Sequence, residues 1–274
     1  MRLVTLTVLA ALVVPAVARA DGEEPPTSYE LATAGRAWRI ETRRGPVHVW
    51  IPDGYDARTA AIVVYVHGYY VDVDEAWRDH RLPEQFAMSG TNAMFVACGA
   101  PEGPDGRVAW PSLRHLLHVV RHGIDRPLPK GRLVAVGHSG AHRTIAQWLD
   151  NRRLDAIVLV DAAYGDLRPY RRWLHASKKH RLLDVGAITQ PKTDAFHRRV
   201  PSLVVDGFPD PDVAHEVLEA WREARVVYVR SHRDHMQLVT EGLVLPMLLR
   251  ALRAPFVFEP TTNPIAPFDD DQDS

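Results

Sequence analysis

Short apolar runs alternate with helix-periodic stretches along most of the chain. Val47-His48-Val49-Trp50-Ile51 reads as a strand ended by Pro52-Asp53-Gly54. Ala61–Val66, Ala93–Ala97, Leu133–Val136, Ile157–Val160, Leu203–Val205 and Val226–Val229 are near-continuous apolar runs. Runs apolar on both faces suit a parallel sheet covered by helices on both sides. Between them, Leu113, Leu116, Leu117 and Val120 follow the i, i+3, i+4, i+7 spacing of a helix. Ile145, Trp148 and Leu149 repeat it, as do Val213, Val217, Leu218 and Trp221. This regular alternation predicts one α/β domain over residues 36–258, with right-handed crossovers.

Two ends fall outside that pattern. Arg2 followed by the apolar Leu3–Val14 and by Ala18-Arg19-Ala20 reads as a secretory signal peptide over residues 1–20. An uncleaved anchor is the competing interpretation, but the run is short for a membrane span. Removal would leave a polar segment, 21–35, and a mature charge of -3, since Arg2 and Arg19 leave with no acid. A secreted or periplasmic location follows as the expectation. Residues 259–274, with three prolines and Asp269-Asp270-Asp271, read as an acidic disordered tail.

One connection is long. Between Val160 and Leu203, residues 166–199 hold nine basic side chains against three acidic ones. Trp173, Leu174, Leu182 and Leu183 give this stretch apolar anchors, so a small helical cap at about 165–199 is expected. Its charge is either a solvated helix face or a recognition surface for an anionic or polar substrate.

Composition changes the picture only by exclusion. The 274 residues carry a formal charge of -1, so no general basic excess exists for nucleic-acid binding. Cys98 is the single cysteine, which rules out an internal disulfide and thiolate-rich zinc sites. It sits in an apolar run and is expected to be buried and inert. His115, His118 and His122 have helical spacing that could suggest a metal, but a polar face beside the Leu113/Leu116/Leu117 stripe explains it better. No cofactor, metal, nucleic-acid partner or stable membrane span of the mature chain is expected, and nothing in the sequence sets an oligomeric state.

Gly137-His138-Ser139-Gly140-Ala141 follows a strand and precedes a helical pattern. The G-x-S-x-G elbow requires that context, because its serine sits on a strained strand-to-helix turn flanked by small residues. Alanine stands here in place of the last glycine. With His67-Gly68-Tyr69-Tyr70 after an earlier strand and histidines late in the chain, the sequence resembles the α/β-hydrolase superfamily from about Ala37 to Arg253. The resemblance implies an α/β-hydrolase fold: a mostly parallel central sheet with helices on both faces. It implies Ser139 as nucleophile and the backbone N–H groups of Tyr69 and Gly140 as oxyanion donors.

His232 and His235 both lie just past the strand ending at Val229. His235 is favoured as base, because an apolar helical run follows it, as in the superfamily. A surface pair or a metal half-site is the alternative. The acid is open. Asp210, in Gly207-Phe208-Pro209-Asp210, fits the superfamily's usual position, and Asp161 competes as the residue ending an earlier strand. Asp161 could equally cap the turn Ala162-Ala163-Tyr164-Gly165. Asp206 and Asp212 are weaker candidates. The expected activity is serine hydrolysis of an ester or related acyl bond, without a cofactor, on a small-molecule or acyl substrate. Peptidase or amidase chemistry, a non-catalytic binding protein and a metal-dependent hydrolase are the alternatives.

Overall fold

The computed structural model describes residues 27–211, 214–258 and 265–268. Nine strands form one sheet: β1 (Arg36–Ile40), β2 (Val47–Ile51), β3 (Ala61–Val66), β4 (Ala93–Cys98), β5 (Leu133–His138), β6 (Leu154–Val160), β7 (Arg181–Gly186), β8 (Leu203–Asp206) and β9 (Val226–Arg230). Their order across the sheet is β1-β2-β4-β3-β5-β6-β7-β9-β8. Only the β1–β2 and β2–β4 pairs are antiparallel; every pair from β4 to β8 is parallel.

Among the described residues, ten helices accompany the sheet. They are α1 (Ser28–Thr33), α2 (Val73–Asp79), α3 (Leu82–Ser89), α4 (Leu113–Gly123), α5 (His142–Ala146), α6 (Arg168–Ala176), α7 (Gln190–His197), α8 (Ala214–Glu223), α9 (Gln237–Thr240) and α10 (Val244–Arg250). Successive strand side chains point to opposite faces, so each strand feeds two cores. Val63 and Tyr65 of β3 join Phe86, Phe95, Trp221 and the α10 leucines on one face. Ile62, Val64 and Val66 join Trp110, Leu116, Trp148 and Trp173 on the other. Burying each such aliphatic side chain contributes roughly 1.5–3 kcal/mol.

Two elements depart from the sequence reading. The expected helical cap at about 165–199 is a helix–strand–helix unit whose strand, β7, lies inside the sheet between β6 and β9. Leu182 and Leu183 are therefore buried sheet residues and not anchors of a separate cap. Arg181, counted among the basic residues of that stretch, is buried and donates to the carbonyls of Trp221, Arg222 and Ala224. Burial pulls its guanidinium down to about 10. The second departure is β1, whose alternating Arg36, Trp38 and Arg39 left no continuous apolar run to read.

The expected polar segment 21–35 includes α1, capped by a reciprocal Thr27/Glu30 pair. Within the expected acidic tail, Ile265 is buried and the Phe268 N–H donates to Glu241 O at 3.0 Å. The signal peptide, Asp212 and the remainder of the tail lie outside the described residues. Among the described residues no helix is long and apolar enough to cross a membrane.

Candidate active site

β5 ends at His138, and Ser139 adopts φ +52 before the chain turns into a short 3-10 helix, Ser139–Ala141, and α5. A left-handed conformation costs a non-glycine residue about 1–2 kcal/mol. The tight turn explains its neighbours. A Cβ on Gly137 would lie 2.9 Å from the Ala141 Cβ and 2.5 Å from Ile145, so the alanine fits because Gly137 has no side chain.

The His67–Tyr70 turn after β3 packs directly on this elbow. A Cβ on Gly68 would stand 3.1 Å from the Ser139 Cβ, and one on Gly140 would stand 2.2 Å from the Tyr69 ring. The two residues expected to donate N–H groups are therefore in contact. Gly140 also occupies the first turn of the 3-10 helix, where backbone N–H groups have no partner within the helix. His67 is buried, and its Nε2 accepts from the Ala100 N–H at 3.1 Å. The proton thus sits on Nδ1, which donates to Gly68 O at 2.7 Å and braces the turn. Burial lowers the pKa of this imidazole and keeps that tautomer neutral.

The sheet order decides which histidine and which acid meet. His232 is exposed and pairs with Asp206 at 3.3 Å. His235 instead turns inward, and its Nδ1 lies 2.6 Å from Asp161 Oδ2. Its carbonyl accepts from His138 Nε2 at 3.1 Å, and the two rings lie 4.4 Å apart, which sets His235 beside the elbow. Asp210, the expected acid, is exposed in the turn beyond β8. β8 is the outermost strand, whereas Asp161 ends β6, the direct neighbour of β5. The carboxylate at the imidazole is therefore that of Asp161.

Asp161 is fully buried and itself adopts φ +45. Its carboxylate accepts from the N–H groups of Ala187 (2.9 Å), Ile188 (3.1 Å) and Thr189 (2.8 Å), and from Thr189 Oγ1 (2.6 Å). Burial works to raise its pKa, but the bonds from His235, Thr189 and Ala187 outweigh it and hold the carboxyl far below the usual range. An ionised Asp161 fixes the proton of His235 on Nδ1 and leaves the Nε2 lone pair free to act as a base. The ends of β5, β6, β7 and β9 thus all contribute to one cluster.

Tyr164 was legible only as part of a turn. Its ring lies 6.3 Å from that of His235 and 6.1 Å from that of His142. Burial and the charge of Asp161 push this phenol up, while Ser139 works against them. A groove of about 610 Å³ opens at His235, with exposed Ile188 and Met236 on its walls. Cys98 is fully buried, and burial pushes its thiol well up, as expected for an inert side chain. Among the described residues no three His, Cys, Asp or Glu side chains cluster as metal ligands.

No protein-family profile and no curated protein matches this chain. Solved structures do. The feruloyl esterase module from Clostridium thermocellum, complexed with sinapinate, superposes with a TM-score of 0.53 at 12% identity, over 86% of this chain and 94% of that one. A hydrolase from Thermoplasma acidophilum gives 0.42 at 12% identity, covering 79% and 95%. An S-formylglutathione hydrolase from Agrobacterium tumefaciens gives 0.39 at 14% identity, covering 73% and 88%. The first of these, with the strand order and the elbow, defines the class: this chain has the α/β-hydrolase fold, a mostly parallel sheet flanked by helices.

Proposed function

We propose that the chain is an exported serine hydrolase acting on an ester or related acyl bond. Ser139 Oγ attacks the acyl carbon while His235 Nε2 takes its proton. The N–H groups of Tyr69 and Gly140 stabilise the oxyanion, each such donor typically contributing about 3 kcal/mol. As the tetrahedral species collapses, His235 returns the proton to the leaving oxygen and an acyl-Ser139 ester remains. Water, deprotonated by His235, then releases the acid and restores the serine. Asp161 holds the imidazole in the required tautomer and stabilises the imidazolium.

The observation that carries this reading is the Asp161–His235 hydrogen bond of 2.6 Å beside a serine held in a strained turn. A fluorophosphonate probe should label the wild-type protein and not Ser139→Ala, and Ser139→Ala should fold normally while losing hydrolysis of 4-nitrophenyl butyrate. A folded wild-type protein that resists the probe, or wild-type turnover by Ser139→Ala, refutes the assignment.

A further inference from the structure

A second cleft, of about 320 Å³, lies between α6 and α7, the helices that flank β7. That volume is at the small end of ligand sites. Its apolar lining comes from Leu167 and Phe196. Its polar lining is almost all of one sign: Arg168, Arg171, Lys192 and Arg199 against the single Asp166. Asp166 is already bound by Arg168 at 2.9 Å. Lys192 donates its Nζ to Tyr164 O. Arg171 and Arg199 have no carboxylate partner among the described residues. Like charges gathered around one cleft repel one another, and a bound anion relieves that repulsion.

The cleft begins where the proposed active site ends. Gly165, on its rim, directly follows Tyr164, whose ring lies 6.3 Å from that of His235. A Cβ on Gly165 would stand 2.8 Å from the His142 ring, so the chain passes here with no room for a side chain. The leaving group has to face His235, which returns its proton, and so belongs in the groove of Ile188 and Met236. That leaves the Tyr164–Gly165 side for the acyl chain.

Resting on the hydrolase reading above, we propose that the α6–α7 cleft is an anion subsite for the acyl group, and that the preferred substrates are esters whose acyl chain ends in a carboxylate. The apolar stem of the acyl chain lies on Leu167 and Phe196, and its carboxylate meets Arg171 and Arg199, guanidinium groups being suited to bidentate carboxylate recognition.

The test compares 4-nitrophenyl butyrate with the 4-nitrophenyl hemi-esters of succinic, glutaric and adipic acids, on wild type and on the double variant Arg171→Gln/Arg199→Gln. A charge-assisted pair is worth about tenfold or more in kcat/KM. Wild type should favour at least one hemi-ester over butyrate by that factor, and added salt should erode the preference. The double variant should lose the preference and keep its butyrate rate and its melting temperature. A wild type with no hemi-ester preference, or a preference that survives in the double variant, overturns the subsite while leaving the hydrolase reading intact. A folded wild type that turns over none of the four esters and resists the fluorophosphonate probe overturns both.

Discussion

His235 Nδ1 and Asp161 Oδ2 stand 2.6 Å apart although 74 positions separate the residues in sequence. The pair forms because β6 ends beside β5, and because the loop after β9 returns across β7. Asp161→Asn should therefore keep the fold and lower kcat by about 10⁴-fold, since the amide favours the wrong imidazole tautomer. Asp210→Asn should leave kcat near wild type. Steady-state rates of both variants on 4-nitrophenyl butyrate decide the matter, and equal losses in the two would contradict the observed pairing.

The strain at Ser139 has a thermodynamic signature. At φ +52 glycine is at ease and alanine is not. Ser139→Gly and Ser139→Ala should both be inactive, yet the glycine variant should be more stable by about 1 kcal/mol, after allowance for its greater unfolded-state entropy. Urea unfolding of the two proteins measures the difference. An alanine variant as stable as the glycine one would show that the turn relaxes in solution.

Thr189 supplies two of the hydrogen bonds to Asp161, one of them from its hydroxyl at 2.6 Å. Thr189→Val removes only the hydroxyl and keeps the shape. It should destabilise the protein by about 1–3 kcal/mol, the usual range for a buried acceptor losing a partner. It should also raise the carboxyl pKa of Asp161, followed by carbon-13 NMR of that group, because a less well-solvated carboxylate protonates more easily. A threonine that only packs would change stability and leave that pKa in place.

Stability should fall on mild acidification, and the sign follows from buried neutral histidines. Burial, with neighbouring imidazoles, pulls His138 down to about 3 and His80 down to about 4. Unfolded histidine titrates near 6.5. Between those values the unfolded chain binds more protons, so stability is lost as the pH drops below about 6.5. By pH 4.5 each histidine should cost on the order of 2–3 kcal/mol. Asp161 contributes nothing in this window, because a depressed carboxyl loses its stabilisation only below about pH 4. Denaturant titrations at pH 7 and 4.5 should show the drop, and His80→Gln should reduce it. A flat profile would contradict the buried neutral state.

The tight turn at Ser139, the His67–Tyr70 turn packed on it and the placement of His235 beside it follow local signals in the sequence: small residues around a serine, a turn after an apolar run, a histidine before a helix. Which of Asp161 and Asp210 meets His235 was not legible, because that depends on which strands are neighbours. β7 hid that order. Its first residue is Arg181 and its fourth is Asp184, so Leu182 and Leu183 resembled scattered anchors and not a strand. Both charges are accommodated in ways that sequence does not reveal: Arg181 by carbonyl oxygens, Asp184 by His197 Nε2 at 3.0 Å. Thr189 gave no signal and Tyr164 only that of a turn, since the contacts of both are made only when β6, β7 and β9 are aligned.

Because the backbone amides following β7 surround the Asp161 carboxylate, the stretch between the sixth and eighth strands is no dispensable embellishment. Attempts to shorten this protein to a minimal scaffold, or to exchange that stretch for one of different specificity, would have to preserve residues 187–189. The outward sides of its two helices carry no such constraint, whereas its inner turn holds the Asp161 carboxylate in place.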